Sequence, residues 1–510
     1  MSTTTRSPSP YVPPSSTSVA SGARVYRPAL VDPEKHVVAA LKAGLEADFD
    51  AWLMETPVTQ NADEWHADRT LTAEFIARLC MDSNGQTNPY PRGIRIKGAC
   101  ITGNLDLSTA TIGGLLLLER CRIEADVSLR DTTTKLVNFA GSLVCGSILA
   151  DRLRNSGGVY LRDGFRCEKL VRLSAATING DLDCRSGTIV GAMEKDDAKG
   201  PKLALRGDRS AITGSVFFVN FTALGEVRLL DATVGANVVC KDASFANTNG
   251  DALMADNVRI GGSLILRAWK QRPTSLISVR NATAHVLNLG APEDTALGRN
   301  VIRAQGFRYD TIADEHAVNL GLCMRWLDAL VTAPFNPQPY EQCAKVLREI
   351  GLAEQAKEVG ILRRQVELRL PTVKRRKKVS GFLLHMLIGY GYRPGKSVWT
   401  LLVLMLTGAL VFWEADSDKA MVPTDATAAT SYLATNQLPA GYPTFNAVVY
   451  SADVLLPIID FQQDSKWRPN QTSTANSGTV AVWTTRFLIA AGWILSTLLV
   501  ASVSGLIRKD

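Results

Sequence analysis

This chain is expected to fold mainly as β structure: a β-helix, or solenoid, of short strands with helical caps, followed by a helical neck and two transmembrane helices. Three observations support this expectation. The chain resembles itself at short intervals between about Gly93 and Ala268, helical apolar spacing flanks that region on both sides, and two long apolar segments lie near the C-terminus. Together they predict a soluble body joined to a small membrane part.

The predicted divisions follow the order of these patterns. They are residues 1–30 (disordered tail), 31–90 (helical cap), 91–310 (β-solenoid), 311–372 (helical neck), 373–396 (basic juxtamembrane segment), 397–413 (first transmembrane helix), 414–482 (extracytoplasmic loop) and 483–507 (second transmembrane helix). The first residues are rich in Ser, Thr and Pro and have no continuous apolar core. They therefore predict a disordered tail rather than a signal peptide.

The repeat is the basis of the solenoid prediction. One copy runs from Ala99 to Leu107 and the next from Ala110 to Leu118, a shift of eleven residues. Within each copy apolar residues alternate with polar ones, the period of a half-buried strand, and small residues mark the turns. Many such copies predict strands stacked in coils, each covering the apolar edge of its neighbour. Cys184 and Cys240 fall at alternating sites and are predicted to point inward.

Helices are predicted on both sides of the repeat. Pro33–Leu53 and Thr70–Cys80 have helical apolar spacing and are expected to cover the open first coil, whose strand edges would otherwise be exposed. After the repeat, Ala317–Thr332 and Pro339–Leu370 predict the neck, and the apolar stripe from Tyr340 to Ile350 is interpreted as core packing. The charged insertion 194–201 is predicted to be a surface loop.

Two segments are predicted to cross the membrane. Phe487–Ile507 carries no charge and has the roughly 20 residues that a spanning helix needs. Ser397–Trp413 is shorter, but Trp399 and Trp413 bracket it as interfacial anchors. Basic residues precede the first span and follow the second, which predicts a multi-pass protein of the cell (inner) membrane with both termini in the cytoplasm.

A basic run precedes the first span. We interpret it either as an orientation signal alone or as a contact for anionic lipid head groups, and both interpretations place it at the inner leaflet. Much of the net charge of +7 comes from this run, so no nucleic-acid partner is predicted. The run consists of Lys374, Arg375, Arg376, Lys377 and Lys378.

No pattern in the sequence predicts a reaction. The nine cysteines all precede the spans, include no Cys-x-x-Cys pair and are odd in number, which predicts reduced and mostly buried thiols. The five histidines are scattered without ligand spacing, and no Gly-x-Gly-x-x-Gly opens a helix. We therefore predict no catalytic residue, no cofactor and no metal.

The segment 445–459 is apolar but, at roughly 15 residues, too short to span. One interpretation is a re-entrant segment, with Asp453, Pro457 and Asp460 as candidate pore residues. Tyr442–Asp460 resembles the pore helix and filter of two-span tetrameric cation channels, although Ile458 to Phe461 stand where those channels carry a glycine-bearing filter. The other interpretation, which we favour at this point, is an amphipathic helix at the outer surface with Asp453 in solvent.

Four stretches carry a resemblance to a known family. Arg92–Leu107, Pro339–Gly351, Gly389–Pro394 and Gly492–Thr497 are similar to bacterial membrane-anchored β-solenoid repeat proteins, which are often labelled membrane-associated oxidoreductases. The resemblance implies the same architecture over most of the chain, and the label implies a redox activity.

Three functions are therefore expected, in this order. The first is a membrane-tethered scaffold or sensor whose solenoid binds an unknown protein or extended ligand, with membrane lipids as further partners. The second is an oligomeric, channel-like protein with a divergent pore loop. The third is an oxidoreductase, on the family label only. Small residues in the last span, such as Gly492 and Ser496, offer faces for packing within one chain or between copies in a homo-oligomer.

Overall fold

The computed structural model describes residues 32–53, 65, 67–82, 89–193, 201–247, 250–267, 275–290, 298–313, 319–388, 395–470 and 476–503. The predicted tail 1–30 and most of the predicted surface loop 194–201 lie outside the described residues. A parallel β-solenoid fills the part of the chain from Ala47 to Ile312, and helices follow it. The predicted fold class is confirmed.

Each coil of the solenoid has four short sides. Val137 pairs in parallel with Val159, so this coil takes 22 residues, and strands on three further sides lie between these two. The eleven-residue repeat of the sequence is therefore half a coil. Side 1 contains strands Ala47–Asp48, Ile94–Lys97, Leu115–Glu119, Leu136–Asn138, Val159–Tyr160, Leu182–Asp183, Val216–Phe217 and Val238–Lys241.

The other sides follow in the same way. Side 2 contains Thr70–Thr72, Cys100–Thr102, Arg122–Ile123, Leu143–Val144, Arg166–Cys167, Thr188–Ile189, Thr222–Ala223 and Ser244–Phe245. Side 3 contains Leu105–Asp106, Val127–Ser128, Ile148–Leu149, Val171–Arg172, Leu203–Arg206, Glu226–Arg228, Leu253–Met254, Ile277–Ser278 and Ile302–Arg303. Side 4 contains Thr133–Thr134, Arg154–Asn155, Thr177–Ile178, Ala211–Ile212 and Thr233–Val234. The last coils join sides 4 and 1 in the strands Arg259–Arg267, Thr283–Asn288 and Arg308–Ile312.

Two kinds of corner alternate along the chain. One kind holds a residue in the left-handed region, as at Thr109, Arg120 and Asp131, which follow one another at eleven-residue intervals. At the other kind the stacked coils approach so closely that a Cβ on Gly235 would overlap the backbone carbonyl oxygen of Thr213. The eleven-residue period thus comes from the corners as much as from the strands.

The core is a set of inward ladders of apolar side chains. On side 1, Ile96, Leu118, Phe139 and Leu161 follow one another in successive coils and are fully buried. Cys184 and Cys240 occupy inward positions of the same side, as predicted. Burial raises the pKa of Cys240 to about 12, so this thiol stays neutral and serves as a small apolar filler.

The first coil begins earlier than predicted. Helices α1 (Pro33–Lys42), α2 (Phe49–Leu53) and α3 (Ala73–Asp82) cover the open end, but two strands of the solenoid are interleaved with them, starting at Ala47. The predicted boundary at residue 91 is therefore too late. These two strands stand between helices and lack the adjacent sequence copies whose repetition revealed the equally short strands of the later coils.

Helices close the other end and form the neck. They are α4 (Leu320–Asp328), α5 (Gln338–Glu349) and α6 (Ala353–Arg369). Gln338 and Gln342 of α5 donate hydrogen bonds of 3.0 and 2.6 Å to the backbone carbonyls of Phe307 and Tyr309, so the helix satisfies part of the last coil's open edge. Of the predicted stripe, Tyr340, Cys343, Val346 and Leu347 are buried, and its last member, Ile350, is half-buried.

The remaining helices form a C-terminal module. They are α7 (Arg375–Ile388), α8 (Gly395–Ser417), α9 (Ala426–Thr435), α10 (Ala447–Leu455) and α11 (Asn476–Val503), and an antiparallel hairpin joins Met421–Pro423 to Trp467–Pro469. Helices α8 and α11 are long and apolar enough to cross a membrane. They extend beyond the predicted starts at residues 397 and 483, and residues 504–507 of the predicted second span lie outside the described residues.

The apolar surfaces of α8 and α11 are exposed. Trp399 of α8 is 72% exposed and Trp493 of α11 is 60% exposed, and most other residues of the two helices are exposed or half-buried. A core helix of a soluble protein buries such side chains. These surfaces therefore fit a lipid environment better than water.

Candidate functional site

The most distinctive local arrangement is the packing of the short helix α10 against both long helices. The hydroxyl of Ser451 in α10 donates a hydrogen bond of 2.8 Å to the backbone carbonyl of Met405 in α8. On the other side, the backbone carbonyl of Leu455 lies so close to Gly492 of α11 that a Cβ there would overlap it. Helix α10 therefore contacts the middle of each long helix.

Helix α10 is inclined relative to α8 and α11. Its Tyr450 ring packs 4.8 Å from the ring of Phe412, which lies only five residues before the end of α8 at Ser417. Met405 lies about 18 Å from that end, and Gly492 lies about 24 Å from the start of α11, at 1.5 Å per residue. The C-terminal end of α10 is thus farther from the α8–α11 connection than its N-terminal end.

Asp453 is the buried acidic residue of α10. Its carboxylate accepts three backbone N–H hydrogen bonds, from Phe461 at 2.7 Å, Gln463 at 2.8 Å and Asp464 at 2.9 Å. The residue is only 7% exposed. The interpretation that placed Asp453 in solvent is therefore wrong: the carboxylate folds the returning chain back onto α10 through charge-assisted hydrogen bonds.

Two further carboxylates lie beside Asp453. Carboxylate oxygens of Asp453, Asp460 and Asp464 all lie within 4.8 Å of one another, and oxygen clusters of this kind suit hard cations. Asp453, however, already uses three of its roughly four acceptor sites on the backbone, and Asp460 accepts a hydrogen bond of 2.7 Å from the N–H of Gln462. The cluster holds a turn, and the predicted residue Pro457 lies half-buried in the turn just after α10.

An aromatic cluster holds the two ends of this returning segment together. Trp467 is fully buried, packs against the rings of Tyr432, Tyr442 and Phe445, and donates a hydrogen bond of 3.0 Å from Nε1 to the carbonyl of Pro443. Neither Asp464 nor Trp467 was marked by a sequence pattern. Both lie in an irregular segment, where no periodicity indicates which side chains face inward.

The predicted basic run lies elsewhere, at the start of α7. Four of its side chains are exposed and Lys378 is half-buried. On the same helix Val379, Phe382 and Met386 are also exposed, and their spacing of three and four residues puts them on one face. A helix with a basic first turn and an uncovered apolar face has the character of an interfacial helix.

The solenoid carries ordered outward ladders. On side 1, Tyr160, Asp183, Phe217, Val239 and Ile265 stand in register in successive coils. The guanidinium groups of Arg162 and Arg185 lie 4.8 and 5.1 Å from the ring centres of Tyr160 and Phe217. The apolar members of this ladder are half-buried rather than covered.

Each of two buried carboxylates on the solenoid is held by one arginine of its own coil and one arginine of a neighbouring coil. Arg185 donates hydrogen bonds of 2.9 and 2.6 Å to Asp183, and Arg162 lies 3.3 Å from the same carboxylate. Burial alone would raise the pKa of Asp183, but the hydrogen bonds from Arg185 and the charges of both arginines outweigh it and hold the pKa below its ordinary value. On side 3, Asp208 is held in the same way by Arg206 and Arg228.

Glu226 is the exception among the buried acids. It is 2% exposed, and its Oε1 has no hydrogen-bond partner in the part of the chain that the structure describes. Burial, and then repulsion by Asp251 and Asp208, raises the pKa of Glu226 to about 7, while Arg228 opposes the shift. This acid changes charge in the physiological pH range.

Two cysteines that are separated in sequence meet in the neck. The thiols of Cys323 in α4 and Cys343 in α5 hydrogen-bond to each other, which lowers the pKa of Cys323 and raises that of Cys343. Both are fully buried. A pair of this kind was not visible as a Cys-x-x-Cys motif, and its position inside the packed helices gives it a structural role.

Comparison with known proteins adds no relative. No family model, no curated protein and no solved structure matches the chain. The class is therefore defined by the fold itself: a parallel β-solenoid joined by a helical neck to a module that contains two long apolar helices.

Proposed function

We propose that this protein is a membrane-anchored scaffold or sensor whose solenoid binds an extended partner in the cytoplasm. The observation that carries the proposal is the outward ladder of side 1, where half-buried apolar side chains stand in register beside stacked arginines. Adjacent coils place such side chains about 4.8 Å apart, so a partner lying across them meets a regular surface. Repetitive surfaces of this kind suit extended partners.

Anchoring is the second part of this proposal. Helices α8 and α11 cross the inner membrane, and α7 lies on its cytoplasmic surface with Val379, Phe382 and Met386 toward the acyl chains and the basic run toward anionic head groups. The basic residues before α8 and after α11 then put both termini in the cytoplasm.

A photo-crosslinking experiment tests the scaffold. A photoreactive amino acid is placed in the full chain at Ile265, on the side 1 ladder, and at Thr177, an exposed outward position of side 4, as the matched control. We expect a discrete adduct from Ile265 that Thr177 does not give and that Val239→Asp in the neighbouring coil abolishes. Equal labelling at the two positions, or an adduct that Val239→Asp leaves intact, would rule out this surface.

Labelling of introduced cysteines, measured against the unmodified chain with its nine native cysteines, tests the topology. Asp418→Cys, just after α8, should react with a membrane-impermeant maleimide in intact cells. Arg369→Cys, at the exposed end of α6, should react only after lysis. Reaction of Arg369→Cys in intact cells would contradict the orientation.

One observation favours a second candidate, an oligomeric channel-like protein. If α8 and α11 span the bilayer, the contacts of α10 with their middles put α10 and the irregular chain after it at membrane depth. Irregular backbone is tolerated there only where protein covers it or water-filled space adjoins it. Ile458 is 82% exposed and Asp460 and Phe461 are also exposed in a single chain. In an oligomer, neighbouring copies would cover this segment and so meet that requirement for a re-entrant loop.

The mass of the detergent-solubilised particle, corrected for bound detergent, tests this candidate. A tetramer justifies flux assays in liposomes, whereas a monomer excludes a pore because two spans and one re-entrant segment cannot enclose one. In a conducting protein, Asp453→Asn and Asp460→Asn should both alter ion flux. Asp460→Asn is the more informative variant because Asp453 also holds the returning chain.

A further inference from the structure

A cavity of about 350 Å³ lies in the neck, between α5, α6 and the last strand of the solenoid. Its charged lining is strongly biased: Arg308, Lys345, Arg348 and Arg363 face it, and Glu341 is the one acidic member. The lining therefore has a net charge of +3. The proposed scaffold function makes no use of this cavity, and no residue of the basic run at the start of α7 lines it.

The carboxylate of Glu341 is already engaged. It lies 2.6 Å from Nη1 of Arg363, whose side chain is only 10% exposed. Lys345 lies 3.8 Å from Glu349, a long pair between two exposed side chains that contributes little. Arg308 and Arg348 have no carboxylate within 4 Å among the residues that the structure describes. Positive charge thus remains uncompensated at one concave surface.

We propose that this cavity binds a small organic phosphate. Arginine forks match phosphate oxygens with paired hydrogen bonds, and a phosphate ester carries up to two negative charges, which suits a lining of +3 better than one carboxylate does. The volume exceeds that of a lone phosphate ion and reaches the lower range of small-molecule sites. Tyr340, Ala344 and Ala356 supply an apolar wall for the remainder of the ligand.

The frame of the cavity is rigid. Gln338 and Gln342 tie α5 to the last coil, and the Glu341–Arg363 pair ties α5 to α6. A ligand that bridges Arg308 of the solenoid to Arg348 of α5 would therefore connect the repeat to the neck. The site is formed before the ligand arrives, which limits the ordering cost of binding.

Calorimetric titration of the purified full chain in detergent tests the proposal, with AMP, inorganic phosphate and short-chain phosphatidylglycerol as probes. AMP should bind more tightly than phosphate and more weakly as salt is raised. Arg308→Gln and Arg348→Gln, both exposed, should each weaken binding by at least about tenfold. Arg369→Gln, an exposed arginine of α6 outside the cavity, is the matched control and should bind like the unmodified chain.

The pattern of binding distinguishes the source of the phosphate and tests whether the site exists. Binding of AMP with this pattern of variants supports a soluble phosphate ester, and binding of phosphatidylglycerol alone with the same pattern supports the site with a lipid head group as its source. Binding of no probe, binding unaffected by Arg308→Gln and Arg348→Gln, or phosphate binding as tightly as AMP overturns the proposal. Circular dichroism of each variant verifies that a loss of binding is not a loss of fold.

Discussion

The hydroxyl of Ser451, in the middle of the short helix α10, donates its hydrogen bond to the backbone carbonyl of Met405, near the middle of α8. In an apolar environment such a bond satisfies a hydroxyl that would otherwise be costly to bury. Together with the contact between Leu455 and Gly492, it locks α10 between the two long helices. The first prediction concerns these close contacts.

Gly492→Ala should destabilise the module more than Gly408→Ala does. A Cβ at position 492 meets the backbone carbonyl of Leu455, which cannot move without shifting α10. A Cβ at position 408 meets the side chains of Ser451, at 2.5 Å, and Leu488, at 2.7 Å. These side chains can rotate, at the cost of the bond from Ser451 to Met405, without moving a backbone. We expect about 1–3 kcal/mol for Gly492→Ala, as for other overpacked sites. Thermal unfolding in detergent measures both, and the reverse order would contradict the packing described.

Asp453→Asn should loosen the chain that returns from α10. The asparagine amide has one oxygen for the three N–H donors and turns its own N–H group toward them. Each charge-assisted hydrogen bond that is lost should lower the free energy of unfolding by about 1.5–3 kcal/mol. Hydrogen exchange at the amides of Phe461, Gln463 and Asp464 should accelerate. Asp460→Asn removes a neighbouring charge but keeps an oxygen that can accept the local bond from Gln462, so it is the control and should leave those three amides protected.

Glu226→Gln should remove a pH dependence of solenoid stability. The unfolded carboxyl loses its proton near its ordinary pKa of 4.5, whereas the folded one retains it until about pH 7. Between these values the unfolded state binds fewer protons, so stability falls as the pH rises and then levels off above about 7. The variant should be more stable than the unmodified chain at pH 8, by up to about 3 kcal/mol, and similar at pH 4.

The measurement for Glu226→Gln is the thermal loss of the β-sheet circular dichroism signal between pH 4 and 8. Asp163→Asn, an exposed carboxylate on the same solenoid, should follow the unmodified profile. Parallel profiles for the chain and Glu226→Gln would show that Glu226 is ionised in the fold.

Asp183→Asn should destabilise the solenoid at neutral pH. Because the folded pKa is lowered, the ionised carboxylate adds stability above the ordinary pKa of 3.8, and this contribution is lost as the pH falls through the lower folded value. We expect a cost of about 1–3 kcal/mol, since Arg162 and Arg185 can still reach water. Asp131→Asn, which breaks the exposed pair with Arg152, should change the unfolding temperature little.

The repeat was predictable because its apolar side chains recur with a regular period in the sequence. The copies at Ala99 and Ala110 already indicated half-buried strands, and the inward placement of Cys184 and Cys240 followed from alternation alone. The alternation did not reveal that two copies make one four-sided coil. Strand pairing between residues such as Val137 and Val159 sets the length of the coil, and no local pattern distinguishes an eleven-residue coil from a 22-residue one. The early strand at Ala47 was missed because its two residues pair with Ile96 and Lys97, far along the chain.

In the C-terminal module, too, some features were predictable from the sequence and others were not. Composition indicated two long apolar helices and named Asp453 as the residue to explain, since a lone carboxylate in an apolar segment needs partners. Its partners are backbone N–H groups eight to eleven residues away, in a segment without periodicity, so only the folded chain identified them.

The sequence by itself therefore determined the solenoid, its helical ends and the two apolar helices, because each is encoded in a local period or in composition. Only the tertiary structure decided the number of sides in a coil, the burial of Asp453, the shifted pKa of Glu226, the contact between Cys323 and Cys343, and the basic cavity of the neck. All of these depend on which distant residues meet. The balance of chain entropy and packing over the whole molecule determines which distant residues meet, and a short stretch of sequence does not encode it.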